Sequence, residues 1–332
     1  MDTKRILVTG VGANPGFDLT RSLLRLGHHV IATDASPLAP GLLIPTVTAK
    51  VTPRADDPAY PAHITALCRE LKADAVVAGI ENDLPPLLAI REDLDRAGVR
   101  LWLPDEDSAR TCIDKAAFAR VLAGHGIATV PTFLPDQLDQ VPDRGELVVK
   151  PRRGHGAQNV HFCRTREQAR VLAELMAEAV IQPRIHGAEF TADCLVDRLG
   201  QASVILRHRD VVKAGLAAVS STFHDPVVTD LVRHTLDAVR AAGLCCVQGF
   251  VHDDGQVTIT ELNVRIAGGF TLTEAAGADL VGQWVNGLFD QPVDHDKLTY
   301  KPGMFLTKYT ETLASGDVSI LPATAEGRVA TT

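Results

Sequence analysis

Glu261, Asn263 and Arg265 occupy alternate positions of a β-branched run reading Val257-Thr-Ile-Thr-Glu-Leu-Asn-Val-Arg265, and a strand sends alternate side chains to one face. The run before it starts near Cys246 and carries Gln248. Between the two lies Asp254-Gly255, a strong hairpin signal because glycine accepts the positive φ of a tight turn. If the loop is those two residues, Asp253 pairs with Gln256, and that register sets Gln248 opposite Glu261 with Cβ atoms about 5 Å apart. A carboxylate, two amide oxygens and a guanidinium then converge on one patch. Hard oxygen donors suit Mg2+, which keeps waters and binds through one or two protein groups plus substrate phosphates. An adjacent arginine suits a phosphoryl or acyl oxygen. The same residues also fit the solvated face of a half-buried hairpin, and a one-residue slip of the loop would give Glu261 another partner.

Three further stretches carry chemistry. Glu146-Leu-Val-Val-Lys150-Pro151 reads as a strand ending in a lysine, followed by Arg152-Arg153-Gly154-His155-Gly156-Ala-Gln-Asn159. Glycines let backbone N–H groups approach phosphate oxygens, and a strand-end lysine supplies a point charge. No Gly-Lys-Ser/Thr is present, so this is not a Walker A loop, and an ordinary basic hairpin turn is the alternative. Near the start, Gly10-Val-Gly12-Ala-Asn-Pro-Gly16 follows a short strand, and Asp34 ends the next one. This is the place of an NAD-binding acid, although the spacing is GxGxxxG rather than GxGxxG. Glu81-Asn82-Asp83 falls at the carboxyl end of an apolar strand, where α/β sheets gather ligands, with a helix N-cap as the other use for Glu81.

These groups must be placed by a chain of 332 residues, long enough for two or three domains. A net charge of −8 argues against a general nucleic-acid binder, while the basic clusters at Lys150–Arg153 and Arg207–Lys213 suit an anionic small ligand. Six cysteines without CxxC spacing read as reduced thiols, not a zinc site. No apolar stretch approaches membrane-spanning length, and the N-terminus lacks the apolar core of a signal peptide, so a soluble, cytoplasmic protein is expected.

The first part of the chain alternates strand and helix. Helices are expected over 17–26 and 64–71, and strands over 29–34, 74–80 and 100–104. A new unit begins near Asp114-Lys115. It holds helices over 116–123 and 166–179, then strands over 180–185, 189–197 and 204–209, with Arg207 and Arg209 on one face and Lys213 shortly after. Helix 226–242 leads into the hairpin, and Gly268-Gly269 form a small-residue turn before a helix over 272–289.

Lys115, the Lys150 strand and its loop, Glu189 and the Glu261-Leu-Asn-Val-Arg265 strand occur together in the order seen in the ATP-grasp superfamily. The chain most closely resembles the carbamoyl-phosphate-synthetase-like carboxylate–amine ligases. The resemblance implies a mixed α/β and α+β architecture: an N-terminal Rossmann-like pre-ATP-grasp domain (1–112), a small ATP-grasp subdomain (113–183), a large subdomain with the metal site (184–300) and a C-terminal segment (301–332). It implies that Lys115 and Lys150 contact the phosphates and that Arg153, Gly154, His155 and Gly156 lie in a mobile phosphate-covering loop. Gln182, Pro183, Arg184 and Ile185 match the adenine hinge, which more often carries an acid, and Glu189 matches the ribose contact. Gln248, Glu261 and Asn263 match the magnesium ligands and Arg265 the residue steadying the transferred phosphate. Arg207, Arg209 and Lys213 lie where the family often places a basic residue at the acceptor. A guanidinium fork on Arg207 or Arg209 matches a substrate carboxylate. Glu81, Gly268 and Gly269 complete the expected substrate contacts, and Tyr309 and Glu311 remain without a role.

The function so implied is an ATP- and Mg2+-dependent ligase, with Mn2+ able to replace Mg2+, that joins an amino acid or small natural-product acid to an amine. The partners are small molecules, with neither nucleic acid nor membrane among them. A homodimer is left open, dimers being common for such folds. Two other readings stay open: a bicarbonate-using carboxylase or carbamoyl-phosphate-type enzyme, and a non-catalytic nucleotide- or NAD-binding protein.

Overall fold

The computed structural model describes residues 2–309 apart from 144, 155, 157 and 214, so the expectations placed on His155 and Glu311 lie outside the described residues. The chain divides into two compact units, one ending at Leu101 and one spanning Trp102–Tyr309. The boundary therefore precedes the expected 112/113.

The first unit contains β1 (Arg5–Val8), α1 (Asn14–Arg25), β2 (His29–Asp34), β3 (Thr48–Val51), α2 (Tyr60–Glu70), β4 (Ala75–Val77), α3 (Leu84–Ala89) and α4 (Arg91–Arg96). Its sheet is parallel, in the order β3-β2-β1-β4. Ile6, Leu7 and Val8 of the inner strand β1 are fully buried, as a parallel strand covered on both faces requires. Helix α1 starts at Asn14 rather than 17, because Pro15 is tolerated in a first turn. Gly16 is inside it, where a Cβ would lie 2.5 Å from the Gly10 carbonyl oxygen. The strand expected over 100–104 reduces to one parallel bridge, Arg100 with Ala75. Beyond it Trp102 is buried in the second unit, against Gly243 and Gly287.

In the second unit α5 (Glu106–Ile113) and α6 (Lys115–Gly124) precede β5 (Leu147–Pro151), β6 (His161–Cys163), α7 (Arg166–Glu174) and β7 (Ala179–Pro183). Strands β6-β5-β7 form an antiparallel sheet. Its α7 side is a core of Val141, Leu147, Val149, Cys163, Ala169, Ala173, Ala179 and Ile181. Alternation sends Val148, Lys150 and Gln182 to the other face. Helix α7 is shorter than expected, which frees Ala179 to pair with Pro151.

The larger sheet comprises β8 (Ala188–Val196), β9 (Ala202–Lys213), β10 (Leu216–Thr222), β11 (Gly243–Val251), β12 (Val257–Asn263) and β13 (Phe305–Thr307). It is antiparallel, in the order β12-β11-β8-β9-β10-β13. Helix α8 (Pro226–Ala238) stops short of 242. The single helix expected over 272–289 is two, α9 (Thr271–Ala275) and α10 (Leu280–Leu288), separated at Gly277 with φ +109°. Strands β3, β10 and β13 were not anticipated from the sequence; β3 alternates weakly and β13 has three residues.

The hairpin corrects one expectation and keeps its consequence. Its loop has three residues, Asp253-Asp254-Gly255. His252 N–H donates to the Gln256 carbonyl (2.8 Å), and Gly255 adopts φ +82°. Val251 thus faces Val257 and Gly249 faces Ile259, one residue out of the expected register. Thr260 then bulges, and Gln248 returns opposite Glu261. At that point Ile259 is also gripped from outside, with its N–H on the Ala128 carbonyl (3.0 Å) and its own carbonyl accepting from Val130 (3.3 Å).

Candidate active site

Cross-strand partners share a sheet face, and here one transverse row reads Glu261, Gln248, Thr191, Arg207 over β12, β11, β8 and β9. Asn263, two positions from Glu261, lies on the same face beside Cys246 and Asp193. Glu189 and Arg209 extend the face on the other side.

Glu261 is the electrostatic centre. Burial by itself would raise its pKa, but Lys115 and Lys150, the hydrogen bond from Asn263 and then Arg265 hold it below the ordinary carboxylate value. Asn263 Nδ2 donates to Glu261 Oε1 (3.2 Å), and Arg265 Nη2 donates to Asn263 Oδ1 (3.3 Å). Arg265 Nη1 reaches the Ile266 carbonyl (3.0 Å), while its buried Nε has no partner among the described residues. Lys150 has its pKa pushed down to about 8, first by burial, with Lys115 adding to the fall and Glu261 opposing it. Lys115, 8% exposed, donates from Nζ to the Gly154 carbonyl (2.7 Å). Among the described residues no group of three or more His, Cys, Asp or Glu side chains could hold a metal ion. One carboxylate flanked by amide oxygens instead fits a hard divalent cation that takes its remaining ligands from water and phosphate.

Arg209 bridges Glu189 (Nη1 to Oε1, 2.5 Å) and Gln248 (Nη1 to Oε1, 3.3 Å), with Nη2 on the Gly215 carbonyl (2.7 Å). Burial raises the Glu189 pKa and Glu261 adds to the rise, with Arg209 opposing both. Arg207 is not on a solvated strand face: it is 3% exposed, and Asp193 takes its fork (Nε to Oδ2, 2.9 Å; Nη2 to Oδ1, 3.2 Å). Thr273 Oγ1 donates to the same carboxylate (2.5 Å). Gly269 lies against that guanidinium, where a Cβ would be 2.5 Å from Arg207 Nη1, and the Gly268 carbonyl accepts from Lys308 Nζ. Lys213 is exposed at the end of β9.

At the hinge, Gln182 is buried and donates from Nε2 to Thr132 Oγ1 (2.7 Å), and Pro183 pairs with Leu147. Arg184 reaches Glu146 (2.9 Å) and covers the Phe162 ring at 4.6 Å, and Ile185 follows the strand. Arg153 meets Glu178 (2.8 Å) and Asp114 (3.4 Å), and Gly156 is exposed with φ +67°. Asp193, Thr273 and Asp114 were missed from the sequence. For Asp193 a signal existed, since alternation from Glu189 puts it on the Glu189 face.

In the first unit Glu81 and Asp83 are buried at the end of β4. Ile80, not Glu81, holds the cap position of the short 3-10 turn that follows. Asp83 accepts from Thr9 Oγ1 (2.5 Å), and its pKa rises to about 6, chiefly through burial. The glycine-rich turn satisfies itself: Asp34 accepts from Gly12 N–H (2.7 Å) and Ser36 N–H (2.8 Å), and Val11 and Ala13 N–H donate to the Thr33 and Gly10 carbonyls. Asp34 is thus held by the backbone of its own loop. No helix among the described residues is long and apolar enough to cross a membrane.

A family model described as "ATP-grasp in the biosynthetic pathway with Ter operon" matches residues 175–312, and one described as "PylC-like, N-terminal domain" matches residues 6–102. A phosphoribosylamine–glycine ligase of Mycobacterium leprae is 30% identical over 211 residues, which are 58% of this chain and 47% of that protein. The chain thus spans about half the length of the curated relatives it matches. Among solved structures, an L-amino acid ligase from Bacillus licheniformis superposes with TM-score 0.73 at 18% identity, covering 91% of this chain and 78% of that one. A biotin carboxylase from Campylobacter jejuni gives TM-score 0.73 at 12% identity, covering 92% and 74%. At such identities the likeness is one of fold. The chain thus has the ATP-grasp fold, and residues 175–312 match an ATP-grasp family model.

Proposed function

We propose that the protein is an ATP-dependent ligase that activates a carboxylate as an acyl phosphate and condenses it with an amine, the acid being an amino acid or a similarly small carboxylic acid. The observation that carries this reading is the charge arrangement at Glu261: an ionised carboxylate under the field of two lysines, beside two amides and an arginine whose buried Nε has no partner among the described residues. Such a patch has little use as a stability device, but it complements a triphosphate bound through a divalent cation.

Gln248, Glu261 and Asn263 would hold Mg2+, which when bound supplies charge neutralisation on the phosphoryl group being transferred. Lys115 and Lys150 supply positive charge at the phosphates, and Arg265 offers its Nε to an oxygen of the moving group. A carboxylate oxygen of the acid attacks the γ-phosphorus, and the bond from that phosphorus to the β,γ-bridging oxygen breaks, releasing ADP. The amine nitrogen then attacks the acyl carbon. Phosphate leaves with the bonding pair, and the nitrogen gives up a proton to form the amide. No protein nucleophile is required. Residues 152–159 would shield the acyl phosphate from water, which otherwise hydrolyses it.

The test is an ADP-release screen of the purified protein against pools of amino acids and carboxylic acids, with products identified by mass spectrometry. Metal-dependent ADP release in an active pool, abolished in Glu261→Gln with its melting temperature retained, is the expected result. Undiminished turnover in Glu261→Gln would remove the metal assignment. Binding of NAD without ATP would overturn the ligase reading.

A further inference from the structure

We propose that Asp114 is a positioning residue: it ties the helix that bears Lys115 to the root of the loop that follows Lys150, and thereby sets both lysines around Glu261. The inference rests on the nucleotide-binding reading above.

Asp114 caps α6, Oδ1 accepting from Ala116 N–H (3.0 Å) and Ala117 N–H (3.0 Å). The same carboxylate, 6% exposed, receives Arg152 Nε at 2.8 Å on each oxygen and Arg152 Nη2 at 2.7 Å. Arg153 Nη2 follows at 3.4 Å. Arg152 stands two residues beyond Lys150, where the chain leaves β5. Its carbonyl accepts from the Lys115 N–H (3.1 Å), and two residues further on the Gly154 carbonyl accepts from Lys115 Nζ (2.7 Å). One carboxylate thus joins the first turn of one lysine's helix to the chain leaving the other lysine's strand.

Capping alone does not call for this arrangement. Serine and asparagine cap a helix about as well as aspartate, and neither brings a charge. A shielded ion pair is a poor route to stability, since desolvating both partners offsets much of their attraction. It does fix geometry: the arginine fork accepts the carboxylate in few orientations, so helix and loop root cannot slide independently.

The test uses the full-length protein and a non-hydrolysed imido analogue of ATP, titrated calorimetrically with and without Mg2+. Asp114→Ser retains a capping hydroxyl but is too short to reach Arg152. Arg152→Met leaves the cap untouched and keeps an apolar stem. Each should weaken analogue binding by roughly ten- to hundredfold while melting within a few degrees of wild type, and the double variant should lose no more than either single one. Binding by Arg152→Met within about twofold of wild type would overturn the proposal, as would losses that add in the double variant. If Asp114→Ser melts instead, the Arg152 arm decides alone, because it leaves the cap intact. A wild-type protein that fails to bind the analogue overturns the nucleotide reading itself and this role with it.

Discussion

Glu261 is the charge that opposes burial at Lys150, and Lys150, after Lys115, opposes it at Glu261, so their different outcomes make the pair testable. Burial favours the neutral form of both. Glu261 nonetheless stays ionised because two ammonium groups face it, whereas Lys150 has one acid to set against burial and the like charge of Lys115, and falls to about 8. A bound triphosphate would restore the charge on Lys150, so nucleotide binding should take up protons. The sign is fixed. Well below its free-state pKa Lys150 is already protonated and binding is independent of pH; above it, each binding event must first recruit a proton and affinity falls as pH rises. Titrations in EDTA, in buffers of different ionisation enthalpy, should report uptake of about half a proton near pH 8 and almost none near pH 6.5. Lys150→Met should abolish the uptake. Equal heats in all buffers at pH 8 would mean that Lys150 is not depressed or does not meet the phosphates.

The hairpin shows how an element can present the right residues by a route the sequence conceals. From Asp254-Gly255 a two-residue loop is the natural reading, and it puts Gln248 across from Glu261. The chain instead makes a three-residue loop and a bulge at Thr260, two shifts of one residue in opposite directions. Nothing in the local sequence announces the bulge, because its causes come from other elements: residues 128–130 grip Ile259 from outside, and Gly249 is crowded by Phe190 of β8. Alternation and local turn chemistry were therefore enough to name Glu261, Asn263 and Gln248. The partners contributed at a distance were not legible. Asp193 under Arg207 depends on how β8 and β9 pair, and Asp114 on where the chain after Lys150 returns. The crowding makes a prediction at this scale. A Cβ on Gly249 would lie 2.5 Å from the Thr258 carbonyl oxygen and 2.8 Å from the Phe190 ring, so β11 and β12 must part or the ring must move. Gly249→Ala should cost about 1–3 kcal/mol of stability, read from denaturant unfolding. It should also weaken metal-dependent nucleotide binding, because Gln248 is the next residue. Wild-type stability in this variant would mean that the strands are not held at this spacing.

Across the whole molecule the charge and the proposed ligand have the same sign, since the chain carries −8 and a triphosphate is anionic. Global charge should repel the nucleotide, and local charge should attract it. Lys115, Lys150, Arg152, Arg153, Arg209 and Arg265 outnumber the acids Asp114, Glu178, Glu189 and Glu261 that stand among them. Distance decides between the two fields. Charges scattered over the surface lie mostly beyond a Debye length of about 10 Å at 0.1 M salt and are screened, whereas the site cations act at contact and partly buried. Raising KCl from about 50 mM to about 500 mM should therefore weaken binding of the imido analogue several-fold, because salt competes with a local attraction. If net charge governed the encounter, the same salt would relieve repulsion and strengthen binding. The sign of the slope is thus the measurement, and Lys150→Met should flatten it. A slope of opposite sign in the wild type would mean that the cations gathered around Glu261 do not receive the nucleotide.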